Sequence, residues 1–113
     1  MFYYASFVLN IKLIIMAIAK KYLKTKPVCK VTFTVPTDDA KKVAVVGDFN
    51  NWNAKKSELK KQKNGSFKGT FDLPKENTFE FKYIVDGEYI NDAEADRFQW
   101  NDFAGSENAV LEL

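Results

Sequence analysis

Apolar and polar residues alternate with a period of two over two long stretches of the chain. Between Cys29 and Val35 every second residue is apolar or Cys, with Lys or Thr in between. Residues 78–85 repeat this pattern with aromatic residues and Val in the odd positions. Because successive side chains of a strand point to opposite faces, both stretches are predicted to be strands with one face on a core.

A third stretch, KVAVVGDF at 42–49, is almost continuously apolar. This pattern is typical of a strand that is covered on both faces, so we expect it to lie centrally in its sheet. Asn64-Gly65 lies between two further predicted strands, 57–63 and 66–73. This dipeptide supplies the positive φ angles of a type I′ turn and therefore predicts a hairpin.

A second hairpin is predicted at Asp86-Gly87, which leads into a strand at 88–91. Residues 92–96 are predicted to form one helical turn, followed by a polar loop and a last strand at 108–113. Aromatic residues, which favour the surface of a sheet, make up 15% of the chain. Seven short strands separated by turns indicate an all-β fold, an antiparallel β-sandwich of about seven strands.

The first 27 residues are interpreted as a leader that precedes a domain at 28–113. Residues 1–19 are apolar for about the length of a membrane span, but Asn10 and Lys12 lie in their middle. A Lys at the centre of a span costs about 2.5–3.5 kcal/mol on insertion scales. We therefore expect no stable membrane span.

Three interpretations of this leader remain open. Ala17-Ile18-Ala19 resembles the small-residue cleavage site of an export signal, although a basic leading region is absent. A start at Met16 would leave residues 1–15 outside the native protein and would make the protein cytoplasmic. The third interpretation is an amphipathic helix packed on the domain.

Composition excludes several kinds of site. The chain has no His and one Cys, which rules out Ser-His-Asp and Cys-His catalysis, zinc sites built on His or Cys pairs, and an intramolecular disulfide. Cys29 lies within an apolar run and is predicted to be a small buried side chain. We expect no metal and no other cofactor.

The charge of the chain is nearly balanced. Its 17 basic and 15 acidic residues give a net charge of +2, which is too small to attract nucleic acid or an anionic membrane. Carboxylate pairs hydrolyse glycosides only at suitable spacing, and a run of carboxylates in a turn and a polar loop is expected to be solvated instead. This run consists of Asp86, Glu88, Asp92, Glu94 and Asp96.

Trp52 follows the end of the predicted buried strand, directly after two Asn residues. It has two interpretations. In one, the indole ring covers the core at the edge of the sandwich. In the other, its partly exposed face is a platform for the apolar face of a sugar ring, with amide groups nearby to bond the hydroxyls.

Three motifs occur in order along the chain: GDFNNW at 47–52, FEFKYIVDGEY at 79–89 and GSENAVLEL at 105–113. Together they resemble the family 48 carbohydrate-binding modules. This family includes the glycogen-binding domain of the AMP-activated protein kinase β subunit and the early-set domains of glycogen branching and debranching enzymes. The resemblance covers about residues 28–113 and implies an immunoglobulin-like (early-set) β-sandwich.

The resemblance also implies a site for α-1,4-linked glucans such as glycogen, starch or maltooligosaccharides. Trp52 matches the Trp that stacks on a glucose, and Lys82 matches the Lys that bonds glucose hydroxyls. Tyr89 matches a second platform that is Trp in the kinase subunit, and it is therefore smaller here. Asn108 and Ser106 match the hydrogen-bonding residues at the start of the last strand.

The loop before the last strand departs from the family pattern. Ala104 falls near the position where the kinase subunit has a Leu that projects into the ligand, and Ala cannot make that contact. Phe103 or Trp100 is the candidate replacement. Trp100 has no counterpart in the kinase motif and is interpreted either as a third platform or as a loop anchor on the sandwich edge.

The resemblance therefore predicts a non-catalytic module whose partner is an α-glucan oligosaccharide or polysaccharide. Family members usually precede a catalytic barrel, and this sequence contains none. We accordingly expect a stand-alone module that anchors to glucan or recruits a separate glycan-active enzyme chain to it. The alternative is a protein-interaction or regulatory β-sandwich that has lost glucan binding.

Overall fold

Two antiparallel sheets pack face to face in the computed structural model, which describes residues 17–37 and 40–113. Within these residues there is no α-helix, and two short 3-10 turns follow the third strand at 48–50 and 54–56. The strands are β1 Ala17–Tyr22, β2 Val28–Pro36, β3 Val43–Gly47, β4 Lys60–Lys61, β5 Ser66–Pro74, β6 Thr78–Val85, β7 Glu88–Ile90, β8 Arg97–Asn101 and β9 Ser106–Glu112.

The first sheet has the order β1-β2-β5-β4 and the second has the order β3-β6-β9-β8, with β7 paired to β6. The predicted all-β antiparallel sandwich is confirmed. Phe33 lies at the centre of the core between the sheets, with ring centroids 5.4 Å from Phe81 and 6.1 Å from Tyr83. Aromatic residues from both sheets therefore fill the space between them.

The two alternating stretches form β2 and β6, as predicted. The odd-numbered side chains of β2 from Cys29 to Val35 are buried, and the Cys29 thiol is a free buried side chain. In β6, Phe81 and Tyr83 are fully buried, whereas Lys82 between them lies on the outer face of the second sheet. Because side chains alternate along β6, its polar residues point to the outer surface, where the candidate site lies.

Residues 17–22, which the sequence interpretation assigned to the leader, form β1 at the edge of the first sheet. Ala17–Ala19 pair with Thr32–Thr34 of β2. The Lys20 ammonium contacts Asp96, directly before β8, at 2.6 Å and donates to Glu112 O on β9 at 2.9 Å, and it thereby links the two sheets. The predictions for residues 1–16 lie outside the described residues. Among residues 17–37 and 40–113, no helix has the length and apolar character needed to cross a membrane.

Residues 42–49 are predicted to form a buried strand at the centre of its sheet. The strand is buried as predicted, but its predicted central position is wrong. All five residues of β3 are buried, yet β3 is the first strand of its sheet. Its outer edge is covered by residues 57–59, because Val45 N–H donates to Ser57 O and Leu59 N–H donates to Val43 O. A short crossing segment therefore supplies the cover that a neighbouring strand was expected to give.

The two hairpin turns differ from each other in type. Asp86 and Gly87 both have positive φ, and Val85 pairs with Glu88, so this turn has type I′ geometry. At the other hairpin Gly65 has positive φ but Asn64 does not, so the type I′ prediction is wrong there. The Gly65 N–H closes a wider loop on Gln62 O at 3.0 Å.

Three predictions for residues 92–107 are corrected. Residues 97–101 form β8 where a loop was expected, because their backbone pairs with β9. Residues 92–96 form a hydrogen-bonded turn without helix, closed by Ala95 N–H on Asp92 O. Asp92 is fully buried, not solvated, since it accepts the Tyr83 hydroxyl at 2.6 Å. Burial, and next the Asp92 carboxylate, raise the pKa of Tyr83 well above its ordinary value.

Candidate functional site

A groove of about 550 Å³ lies on the outer face of the second sheet, and we call it the first groove. Five of the six site residues predicted from the sequence meet here, and Trp100 does not. Its lining consists of Trp52, Lys82, Tyr89, Asn101, Phe103, Ala104, Ser106 and Asn108.

The end of β3 sets the position of the loop that carries Trp52. A Cβ atom on Gly47 would meet the backbone oxygen of Glu80 and would lie 2.9 Å from the Cβ of Phe81, so only Gly lets β3 approach β6 this closely. Phe49 then packs against the core, with its ring centroid 6.2 Å from Phe33. The buried Asn50 side chain accepts Gly47 N–H at 3.0 Å and fixes the turn.

Trp52 is held at the rim of the first groove by its backbone and by its indole nitrogen. Asn51 and Trp52 have φ of 55° and 58°, a left-handed conformation that is uncommon for a bulky residue. Trp52 N–H donates to Gly47 O at 2.9 Å, and Trp52 Nε1 donates to Asp48 Oδ1 at 3.2 Å. Trp52 is 36% exposed, so part of the residue is accessible to a ligand.

Lys82 and Ser106 face each other across two neighbouring strands. The Lys82 Nζ donates to Ser106 Oγ at 3.0 Å, which places the ammonium in the first groove. Asn108 lies further along β9, is only 3% exposed, and donates from Nδ2 to Glu80 Oε1 at 3.0 Å. Each nitrogen makes one of these bonds, so Lys82 keeps two N–H donors for a ligand and Asn108 keeps one.

Tyr89 reaches the first groove from β7, which the Asp86-Gly87 turn folds back onto β6. Its register partner is Ile84. The side chain is 60% exposed, so its ring is not used to fill the core. The exposed position of Tyr89 follows from the type I′ turn, because that turn fixes which face of β7 points outward.

Asn101 is a lining residue that sequence reasoning missed. Its Oδ1 accepts the N–H groups of Phe103 and Ala104, and its backbone oxygen accepts Gly105 N–H. These bonds shape the loop that presents Phe103 and Ala104 at the groove. Asn side chains in turns often accept the backbone N–H two residues on, so an Asn at the start of a polar loop was the available signal.

Trp100 borders a second groove of about 420 Å³ beside the first. It is 55% exposed, and its Nε1 donates to Asp102 Oδ1 at 2.7 Å. Asn101 and Phe103 line both grooves. The second groove is lined by Asp48, Thr78, Glu80, Arg97, Gln99, Trp100, Asn101, Asp102, Phe103 and Val110.

The first groove combines the exposed aromatic side chains of Trp52, Tyr89 and Phe103 with an ammonium group, a hydroxyl and amides. Such a set matches a ligand that has apolar ring faces and a rim of hydroxyl groups. Among the described residues, no group of three or more His, Cys, Asp or Glu side chains is arranged to hold a metal ion.

The family model that describes the glycogen recognition site of AMP-activated protein kinase matches residues 30–113. The chain belongs to this family. The match includes all three motifs that carry the resemblance, and it covers every residue that lines the first groove. Members of this family are non-catalytic carbohydrate-binding modules. A search among curated proteins gives no significant match to the chain.

Proposed function

We propose that the first groove binds α-1,4-linked glucan, as glycogen, starch or maltooligosaccharide, through aromatic stacking and hydrogen bonds. One observation carries this proposal: side chains from separate parts of a glycogen-recognition module converge on one groove. They are Trp52 after β3, Lys82 on β6, Tyr89 on β7, and Ser106 and Asn108 on β9.

Stacking of glucose on the rings of Trp52 and Tyr89 is the main source of affinity in this proposal. A glucose residue that covers about 80 Å² of apolar surface contributes about 2 kcal/mol at about 25 cal/mol/Å². Trp52 and Tyr89 together, with a few hydrogen bonds and after the cost of association, give dissociation constants of roughly 10 µM to 1 mM. Affinity in this range suits a module that engages a polysaccharide with many repeated sites.

Hydrogen bonds from Lys82 and Ser106 orient the sugar. Among the residues that the structure describes, Lys82 is the one charged residue that lines the first groove, and its ammonium carries three donors. A glucan is uncharged, so the ammonium acts as a hydrogen-bond donor here and not as half of an ion pair. Binding should therefore change little between low and high salt.

In this proposal the module binds glucan without cleaving it. Its role is to hold the chain on polysaccharide, or to bring a separate glycan-active enzyme chain to it. Maltoheptaose incubated with the protein should therefore be recovered unchanged by chromatography.

Calorimetry and native gel retardation with glycogen and β-cyclodextrin test the proposal. Wild type should be retarded and should release heat, and Trp52→Ala should lose at least about tenfold in affinity because one platform is removed. Tyr22→Ala is the matched control, since Tyr22 is also an exposed aromatic residue but lies on β1 of the other sheet. Thermal unfolding should show that both variants are folded.

Wild type that shows neither retardation nor heat would overturn glucan binding. The alternative of a protein-interaction module would then take its place, with the smaller Tyr89 and Ala104 as the reason. Equal losses in Trp52→Ala and Tyr22→Ala would instead overturn the assignment of the first groove.

A further inference from the structure

The second groove adjoins the first on the outer face of the same sheet. Asn101 and Phe103 line both grooves, and Phe103 is fully exposed at their junction. A ligand in the first groove that is long enough to pass Phe103 would therefore enter the second groove. Nothing in the motif resemblance assigns a ligand to this place.

Trp100 is held there in the same manner as Trp52 in the first groove. The indole N–H of each ring donates to an aspartate carboxylate, Trp100 to Asp102 at 2.7 Å and Trp52 to Asp48 at 3.2 Å. This bond satisfies the polar edge of the ring and fixes its orientation while its face stays open. Trp100 is 55% exposed and lies outside the core cluster, which argues against the loop-anchor interpretation.

The polar groups of the second groove fit an uncharged polyhydroxyl ligand. Arg97 is oriented by Glu112 at 2.8 Å, and its guanidinium also lies 3.4 Å from Gln99 Oε1, so donors and acceptors stand side by side. Within residues 17–37 and 40–113, the charged groups that line this groove are the carboxylates of Asp48, Glu80 and Asp102 and the guanidinium of Arg97. That balance disfavours phosphate groups, nucleic acid and anionic lipid, whereas carboxylates readily accept sugar hydroxyls.

We propose that the second groove binds further glucose residues of the same glucan chain, with Trp100 as their platform. This inference rests on the proposed function of the first groove. Its consequence is that affinity rises with chain length beyond what the first groove accommodates. Trp100 thus becomes the residue that distinguishes long glucan chains from short ones.

The chain has two Trp residues, so single-tryptophan variants report on each groove separately. In Trp52→Phe all indole emission comes from Trp100. Saturating maltodecaose should shift this emission to shorter wavelength, whereas saturating maltotriose should leave it in place. In Trp100→Phe both ligands should shift the emission of Trp52. A Trp100 emission that maltodecaose does not change, or that maltotriose shifts equally, would overturn the inference.

Calorimetry with the same two ligands measures the energetic contribution of the second groove. Trp100→Ala should lower the affinity for maltodecaose by about tenfold, the loss expected for one stacked ring, and the loss for maltotriose should be much smaller. Phe98→Ala is the control, because Phe98 is an exposed aromatic residue on β8 that lines neither groove. It should bind both ligands as wild type does.

The outcomes separate the two proposals. If wild type binds neither oligosaccharide, the proposed function fails and the inference fails with it. If wild type binds both, Trp52→Ala weakens both and Trp100→Ala weakens neither, only the second groove is wrongly assigned. Equal losses for both lengths in Trp100→Ala would show that Trp100 supports the first groove and does not extend it.

Discussion

The carboxylate of Asp48 connects the Trp52 ring to the neighbouring strand. Asp48 Oδ1 accepts the indole N–H of Trp52 at 3.2 Å, while Asp48 Oδ2 accepts the backbone N–H of Glu80 on β6 at 2.8 Å. One short side chain therefore fixes the Trp52 ring relative to the sheet that carries Lys82. The orientation of the ring is set before any ligand binds.

Asp48→Ala should weaken both binding and folding, because it removes both of these bonds. We expect the free energy of unfolding to fall by about 1–2 kcal/mol. Glucan affinity should fall by roughly 3- to 10-fold because the ring is no longer held in place. Urea unfolding and calorimetry measure the two effects. Asp72→Ala, which removes an exposed ion pair with Lys30 on the other sheet, is the control and should bind normally. Unchanged binding in Asp48→Ala would contradict the role assigned to Asp48.

Tyr89→Trp should strengthen glucan binding. Tyr89 is 60% exposed, so a larger ring meets no core atoms and the fold should be unaffected. An extra stacked area of about 25 Å² at about 25 cal/mol/Å² gives about 0.6 kcal/mol, or about threefold in affinity. Titration calorimetry with β-cyclodextrin checks the gain, and Tyr89→Ala should show a loss. A Tyr89→Trp variant that binds no better than wild type would contradict a stacking role for this position.

Gly47→Ala should destabilise the protein by about 3 kcal/mol or more, because the new methyl group meets backbone on β6 that cannot move aside. Gly87→Ala is the matched comparison. Gly87 has a φ of +90° and open space around it, so the change costs only backbone strain of about 1–2 kcal/mol. Thermal and urea unfolding of the two variants should rank them in this order. Equal losses would show that close packing at the end of β3 is not what requires Gly47.

Tyr83→Phe should alter the pH dependence of stability. Burial first, and the Asp92 carboxylate second, raise the pKa of Tyr83 above its ordinary value of about 10. Above that pH the unfolded chain releases the phenol proton while the folded chain retains it. The stabilisation is therefore complete below pH 10 and is lost as pH rises further, by about 1.4 kcal/mol per pH unit.

Urea unfolding between pH 7 and pH 11 checks this behaviour. At pH 7 the Phe variant should be about 1–3 kcal/mol less stable, because the buried Asp92 carboxylate loses a donor. The difference from wild type should shrink above pH 10. Tyr22→Phe, an exposed tyrosine on β1, should keep the slope of wild type. Parallel stability curves for wild type and Tyr83→Phe would be inconsistent with a buried Tyr83–Asp92 bond.

Much of the sandwich could be predicted from local pattern. The alternation of apolar and polar residues was enough to predict β2 and β6. One face of each strand packs on the core, so every second residue is apolar. The turn at Asp86-Gly87 was also predictable, since its conformation depends on two adjacent residues. β1 and β8 were missed because edge strands are exposed on much of their surface, and exposed positions carry no apolar period.

In the candidate site, too, some residues could be predicted from local sequence and others could not. The motifs point to Trp52, Lys82, Tyr89, Ser106 and Asn108, because each residue sits at a fixed distance from a turn or a strand that local sequence determines. No sequence motif identified Asn101. It shapes the loop through hydrogen bonds that form only after β8 pairs with β9. Asp92 was predicted to be solvated because its burial depends on Tyr83, nine residues earlier on another strand.

By itself, the sequence determined the class of fold, the main strands and the motifs that mark the family of the glycogen-recognition module. These features depend on neighbours in the chain, where side-chain period and turn chemistry act directly. Only the tertiary structure decided that β3 lies at a covered edge, that Asp48 holds Trp52, and that Trp100 borders a separate groove. The position of β3 depends on which strands pair, and the Asp48 carboxylate also accepts the N–H of Glu80, 32 residues away on β6. The groove at Trp100 is lined by residues from separate parts of the chain. No local pattern encodes such contacts.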